Sequence, residues 1–242
     1  MNLIKSVGLF GKLPAHGDFI YRDLPSNFIN AWDAWLQGFV GSSREQIGDQ
    51  WLDVYLTSPI WRFAFSEGVI DQYAWAGIVL PSVDRVGRYF PFSVATRLPG
   101  GTNPLALINQ SSWFESIEAA ALSGLDGQLN IDGLVEEINR APLNPKSTHL
   151  PAAQQSGKLG TVVKMSAEED QPQVVFPQLL DAVLKESLSS YSVWSTQGSQ
   201  LIEPCMFYTR GLPQMRGVAA MMDGHWEHWG WHEPYKPKMA QS

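Results

Sequence analysis

Three charged residues that can bind an anion or transfer a proton stand within five positions of one another. They are Asp84, Arg85 and Arg88, and they lie between two apolar runs at 76–80 and 89–96. Two strands joined by a charged connector present side chains from a rigid frame, which is a usual way to build a recognition or catalytic site. The alternative is a hairpin loop whose ion pairs only brace the loop itself.

A second charged loop follows the first apolar run of the chain. It covers residues 11–22 and contains two glycines and a proline. Loops that leave strands can meet at one edge of a sheet, so Asp18 and Asp84 can belong to one site. Both loops are therefore predicted to form a partner-binding surface. The candidate residues are Lys12, Asp18, Arg22, Ser82, Asp84, Arg85 and Arg88.

The residue types allow two kinds of function. Arginine side chains bind carboxylates and phosphates through paired hydrogen bonds, so Arg85 and Arg88 are predicted to pair with acidic or phosphorylated groups of a partner. The alternative hypothesis is a small-ligand-binding or hydrolytic enzyme that uses Asp18, Asp84 and the two arginines in a cleft. No motif fixes the separation of the two aspartates.

Three further residues have the spacing of metal ligands on a helix. His225, His228 and His232 are separated by three and four positions. Three tryptophans and a glycine share this segment, and the alternative is a Trp-rich segment that packs on the body of the protein. We predict no metal, and the three histidines are the candidates if one binds.

Familiar cofactor and enzyme motifs are absent from the sequence. The run Gly8–Lys12 resembles a phosphate-binding loop, but it lacks the required glycine spacing, and Leu13 and Pro14 follow the lysine. No nucleophile elbow, His-Glu-x-x-His pair, kinase loop or dinucleotide fingerprint occurs. The absence of these motifs does not exclude an enzyme, but it argues against one of a familiar class, and no cofactor is predicted.

Composition limits the class of protein further. The 242 residues are 44% hydrophobic and 17% charged, which is typical of a folded globular chain. The net charge is −7 and no block of Lys or Arg occurs, so nucleic acid is not a predicted partner. Cys205 is the single cysteine and indicates a reducing compartment. With no secretory signal and no apolar stretch of ~18 residues, we expect a cytoplasmic protein without membrane insertion.

The spacing of apolar residues predicts the helices and strands that position the two loops. Asn103 is predicted to cap a helix whose first residue is Pro104. Helices are predicted at 26–39, 47–56, 104–121, 134–138, 177–188 and 213–222. Strands are predicted at 7–10, 60–65, 76–80, 89–96, 161–165, 174–176, 191–195 and 204–208.

The alternation of strands and helices predicts an α/β fold built as a layered sandwich. Because residues 76–96 read as a hairpin among helix-linked strands, we expect a mixed sheet. We expect a single domain over residues 1–242. Residues 141–160 contain three prolines and many small or polar residues, which is typical of a linker or mobile excursion.

The combination of motifs over residues 4–97 resembles one known family, the TagF (ImpM-like) accessory proteins of bacterial type VI secretion systems. The motifs that carry the resemblance are Gly11–Pro14, Gly17–Phe19, Trp32–Trp35, Ser58–Phe63, Trp75–Gly77 and Pro81–Pro91. Beyond residue 97 the resemblance is looser.

The resemblance implies a function that composition and spacing do not give. It implies a three-layer α/β fold and a post-translational repressor of secretion-system assembly without enzymatic activity. It also implies a forkhead-associated scaffold protein as the partner. It carries over no binding residues, so the candidate surface rests on the two loops alone. The oligomeric state is left open.

Overall fold

The computed structural model describes residues 7–143 and 175–236. The helices are α1 Ser26–Ile47, α2 Trp51–Leu56, α3 Pro104–Ile108, α4 Ser111–Leu125, α5 Ile131–Arg140, α6 Phe176–Leu188 and α7 Ala220–Asp223. The strands are β1 Gly8–Gly11, β2 Ile20–Arg22, β3 Trp61–Phe65, β4 Trp75–Leu80, β5 Phe92–Arg97, β6 Tyr191–Thr196 and β7 Cys205–Arg210. Short 3-10 turns lie at Gly48–Gln50 and Met215–Gly217.

The strands form one seven-stranded sheet in the order β2-β1-β5-β4-β3-β6-β7. Every pairing between these strands is antiparallel, so the expectation of a mixed sheet is wrong. The error has a physical reason. A buried strand shows the same apolar run whether its neighbours are parallel or antiparallel, so the sequence pattern carries no information on strand direction.

Helices cover both faces of this sheet, which confirms the three-layer α/β arrangement. Residues of α3, α4, α5 and α6 contribute to the hydrophobic cluster on one face, and residues of α1, α2 and α7 contribute to the cluster on the other. Side chains alternate between the faces along each strand. In β3, for example, Phe63 and Phe65 enter the second cluster and Ala64 enters the first.

The aromatic face of α1 is part of the core, as its spacing predicts. Trp32 is fully buried, and its ring lies 5.0 Å from that of Phe63 on the sheet. Its indole N–H donates to Ser93 Oγ at 3.0 Å, and Trp35 donates to the carbonyl oxygen of Pro213 at 3.0 Å. Because buried indoles keep their hydrogen bonds, the first contact fixes α1 on the sheet and the second fixes it against the segment after β7.

Gly77 is required in the middle of the sheet. A Cβ at this position of β4 would lie 2.0 Å from the carbonyl oxygen of Val94 and 2.7 Å from Cζ of Phe63. Only a residue without a side chain therefore allows β5 to lie beside β4 while the Phe63 ring covers the strand.

Several predicted boundaries change. Asn103 caps α3 as predicted, but the helix expected over 104–121 is two helices, α3 and α4. The helix expected over 213–222 is a 3-10 turn followed by α7, and the strand expected at 174–176 is contradicted because Phe176 begins α6. The strand at 161–165 and residues 144–160 of the expected linker lie outside the described residues. Within the described ranges, no helix combines the length and apolarity that crossing a bilayer requires.

Candidate functional site

The two predicted loops meet at one edge of the sheet because of how their strands pair. The end of β1 lies beside the start of β5, with Gly11 opposite Phe92. The loop after β1, residues 12–19, therefore lies against the loop before β5, residues 81–91. The hypothesis that these loops form one structural unit is confirmed, whereas their role in binding a partner stays a prediction.

Backbone and side-chain hydrogen bonds hold the two loops together. The amide of Arg85 donates to the carbonyl oxygen of His16 at 2.9 Å. The Ser82 hydroxyl donates to the carbonyl oxygen of Lys12 at 2.6 Å, and the guanidinium of Arg88 donates to that of Gly17 at 2.6 Å. Three separate contacts thus fix one loop on the other.

The carboxylate of Asp84 is the centre of this arrangement, and its side chain has no solvent exposure. One oxygen, Oδ1, accepts from the amides of Val86 (3.0 Å) and Arg88 (2.9 Å). The other, Oδ2, lies 2.6 Å from Arg88 Nε and 3.0 Å from Lys12 Nζ. Four donors therefore occupy the carboxylate.

These donors determine the charge of Asp84. Burial alone would raise its pKa, but the Arg88 amide, the Lys12 ammonium, the Arg88 guanidinium and the Val86 amide together lower the pKa well below its ordinary value. Asp84 is consequently a permanent anion that organises the loop. It has neither the access nor the basicity to act as a general base.

Tyr55 of α2 braces the same loop from the core side. Its hydroxyl donates to the carbonyl oxygen of Ser82 at 2.9 Å and accepts from the Ser82 amide at 3.0 Å. Burial raises the pKa of Tyr55, so the phenol keeps its proton and both hydrogen bonds. The helical spacing of α2 predicts that Tyr55 is a core residue. No feature of the sequence predicts its hydrogen bonds with the backbone of Ser82.

The candidate residues divide into buried and exposed groups. Lys12, Ser82 and Asp84 are buried, so they position the loops and cannot touch a partner. The prediction that these three residues contact a partner is therefore corrected. Charge and proximity along the sequence do not determine the direction in which a side chain points. The exposed members are Asp18, Arg22, Arg85 and Arg88.

The two arginines of the loop differ in what they contact. Arg88 uses its guanidinium to bind Asp84 and Gly17, although its side chain is 59% exposed. The guanidinium of Arg85 has no hydrogen bond or ion pair with any residue in the described ranges. A Cβ on Gly17 would lie 3.4 Å from its Nη2, so the guanidinium stands above that glycine. Of the two arginines, Arg85 is thus the one whose guanidinium has no described partner within the protein.

The same two loops also carry exposed apolar side chains, which are not among the candidate residues predicted from the sequence. Val86 is 67% exposed, Tyr21 63% and Phe19 40%. Phe19 stays ordered because its ring packs edge-on against Phe90 at 4.9 Å. The run Phe19–Arg22 has the residue types of a short strand, and residues Ile20–Arg22 form β2. An edge strand with aromatic residues is the sequence feature that could have indicated them.

The histidines predicted as metal candidates are not assembled. Residues 226–230 form turns, so the helical spacing of the three does not bring their rings together. His225 faces Asp223, with Nδ1 3.4 Å from Oδ2, and His228 packs against Trp229. Among the residues that the structure places, no three His, Cys, Asp or Glu side chains form a group able to hold a metal ion.

Comparisons with known proteins identify the family. A family profile described as "TagF N-terminal domain, Type VI secretion system-associated" matches residues 8–141. The solved structure of PA0076 from Pseudomonas aeruginosa PAO1 is 34% identical, with a TM-score of 0.76 over 97% of this chain and 100% of that chain. A comparison with curated proteins found no match. The chain therefore belongs to the TagF family of type VI secretion system-associated proteins.

Proposed function

We propose that this protein is a cytoplasmic, non-enzymatic repressor of type VI secretion system assembly that acts by binding another protein. The proposed partner is the forkhead-associated scaffold protein of that system, as the family resemblance implies. The proposed contact surface, called here the two-loop surface, consists of the exposed side chains Asp18, Phe19, Tyr21, Arg85 and Val86. The remaining exposed candidate, Arg22, lies beside α5 with Asp132 and Glu136 and is left out of this surface.

One observation supports this surface above the others. A buried carboxylate with four donors holds the loop rigid, and the same loop then presents Arg85 without a described partner and Val86 largely exposed. Tyrosine and arginine are enriched at the centres of protein interfaces because they combine apolar area with hydrogen bonding. A loop that needs no ordering on binding loses less entropy when a partner docks.

The competing enzyme hypothesis is less well supported by the same geometry. A hydrolytic site would use Asp84 as a base or as an anchor for the two arginines. Its oxygens are already occupied, and its low pKa makes it a poor proton acceptor. Cys205 is also a poor nucleophile, because burial raises its pKa to about 11.

The test is a pull-down of the scaffold protein with Arg85→Glu. We expect loss of binding together with a thermal melt close to wild type, because Arg85 makes no internal ion pair in the described structure. The matched control is Arg216→Glu, which reverses another arginine without a described partner, on the far side of the protein.

Arg88 is the wrong residue for this test, although the sequence suggested both arginines. Its reversal would break the contacts with Asp84 and Gly17 and disturb the loop itself. Wild-type binding by Arg85→Glu, or an equal loss in the Arg216→Glu control, would argue against the two-loop surface.

A further inference from the structure

A second feature lies at the opposite edge of the sheet from the two-loop surface. A pocket of about 200 Å³ opens beside β7. Its lining includes Arg210, Gln214, Arg216, Trp229, Trp231 and His232. They come from β7, from the 3-10 turn at Met215–Gly217 and the residue before it, and from the segment after α7. Separate segments of the chain therefore line one pocket.

The polar groups of the pocket are donors that the fold does not use. Within the described ranges, the side chains of Gln214, Arg216 and His232 have no hydrogen bond or ion pair. The Arg210 guanidinium donates one hydrogen bond, from Nη2 to the carbonyl oxygen of Ser187 at 3.2 Å, which holds the side chain in place. Because Phe207 of the same strand packs on Trp231 and side chains alternate along a strand, Arg210 extends from the opposite face of β7 to the end of α6.

No carboxylate of the described residues lines this pocket, although the chain carries a net charge of −7. The acidic residue that contacts its wall is Asp223, and the Oδ2 atom of Asp223 accepts from Trp229 Nε1 at 2.7 Å. The guanidinium of Arg216, which has no described ion pair, makes a local positive potential in an acidic protein, and this potential attracts anions.

The aromatic wall of the pocket is held rigid. The indole N–H of Trp231 donates to the carbonyl oxygen of Gly217 at 2.8 Å, and that of Trp229 is held by Asp223. A Cβ on Gly217 would lie 2.7 Å from Trp231 Nε1 and 3.0 Å from the carbonyl oxygen of Trp229. The glycine therefore allows the tryptophan segment to lie directly on the 3-10 turn.

From these observations we infer that the pocket beside β7 binds a phosphoryl group, held by Arg216, Gln214 and His232 against the Trp229–Trp231 wall. Its volume lies below the roughly 300–1,000 Å³ of pockets for drug-sized ligands, so it suits a phosphate or one modified side chain. A carboxylate is satisfied by one guanidinium, whereas the three terminal oxygens of a phosphoryl group can use a guanidinium, an amide and an imidazole N–H together.

The inference is tested by calorimetric titration of the full chain with inorganic phosphate, O-phosphoserine and acetate at constant ionic strength. Arg216→Gln is expected to weaken phosphate binding by about tenfold or more, because a charge-assisted hydrogen-bond donor is lost. Arg140→Gln, on an exposed arginine of α5 outside both surfaces, is the matched control and is expected to bind like wild type. The indole N–H signals of Trp229 and Trp231 in a nitrogen–proton correlation spectrum should shift with phosphate.

The outcomes separate clearly. Saturable phosphate binding that Arg216→Gln weakens supports the pocket. Tighter binding of O-phosphoserine identifies a phosphorylated side chain as the ligand, and tighter binding of inorganic phosphate identifies a free phosphate compound. Absence of binding at tens of millimolar phosphate, equal binding by Arg216→Gln, or acetate binding as tight as phosphate overturns the inference.

Scaffold binding by Arg216→Gln is expected to be intact, so failure of the pocket and failure of the two-loop surface are distinguishable.

Discussion

The ammonium of Lys12 and the carboxylate of Asp84 lie 3.0 Å apart, and their side chains are 7% and 0% exposed. This pair joins two loops that are far apart in the sequence and places opposite charges where water cannot screen them. Buried ion pairs of this kind tolerate the loss of one partner badly, because the remaining charge stays desolvated.

Replacement of Asp84 by asparagine is therefore expected to lower the melting temperature clearly. The Asp84→Asn variant would leave Lys12 and Arg88 without their shared anion and would offer an amide N–H₂ where donors already converge. Thermal unfolding followed by circular dichroism measures the effect. The control is Asp18→Asn, which removes an exposed carboxylate and should change the free energy of unfolding by no more than about 0.5 kcal/mol. Equal melting temperatures for both variants would contradict the central role of Asp84.

The contribution of Asp84 to stability should depend on pH in a defined direction. Its pKa is lower in the folded state than its ordinary value of 3.8, so the unfolded state binds the proton more readily. The stability difference between wild type and Asp84→Asn is thus expected to be constant above about pH 5 and to shrink as the pH falls below about 4. Denaturant unfolding of both proteins across this range measures it. A difference that grows towards acid pH would reverse the sign and refute the assignment.

A second buried ion pair gives a prediction about the other face of the sheet. Arg62 of β3 contacts Glu118 of α4 through two hydrogen bonds of 2.6 and 2.8 Å, and the hydrogen bond to Glu118 raises the pKa of Arg62. Glu118→Leu should lower the free energy of unfolding by roughly 3 kcal/mol, since a buried guanidinium loses its partner.

The matching control for this pair is the double variant Arg62→Met/Glu118→Leu. Because an apolar pair of similar volume carries no desolvation penalty, the double variant should regain most of the lost stability. Denaturant unfolding of the wild type, both single variants and the double variant completes the cycle. Additive losses in the double variant would show that the pair does not interact as inferred.

Two glycines should respond differently to the same substitution. Gly77→Ala places a Cβ 2.0 Å from the carbonyl oxygen of Val94, so we expect a loss of more than about 3 kcal/mol or failure to fold. Gly87→Ala has open space around the new Cβ but a φ of +87°, so only the left-handed backbone strain of about 1–2 kcal/mol is expected. Soluble yield and melting temperature measure both. A Gly77→Ala protein that melts like Gly87→Ala would contradict the close packing of β4 and β5.

The sequence predicted the elements well where the spacing of apolar residues was unambiguous. The aromatic face of α1 and the Asn103 cap of α3 are examples, because each depends on residues only a few positions apart. The sequence did not predict the antiparallel direction of the strands, and the single helix expected over 213–222 was wrong. Strand direction depends on how the chain returns to the sheet, and the expected helix is interrupted because residues 213–219 adapt to α1 through Trp35 and Gln46.

For the candidate site, the sequence identified the two loops but not the roles of their residues. Along the chain, Asp84, Arg85 and Arg88 are equally plausible as exposed charged residues. In the structure Asp84 is buried, Arg85 has no described partner, and Arg88 binds Asp84 and the carbonyl oxygen of Gly17. The difference arises from His16, Gly17 and other backbone groups of the facing loop, which the sequence of residues 81–89 does not contain.

By itself, the sequence determined the alternation of strands and helices, the aromatic core, the charge balance and the family motifs, since all of these are local patterns. Only the tertiary structure decided that Lys12 neutralises Asp84, that Arg85 has no described partner and that Arg210 and Arg216 line one pocket. Each of these depends on contacts between separate segments of the chain. The direction of a charged side chain is set by the donors and acceptors that the fold brings to it, and spacing along the sequence does not specify them.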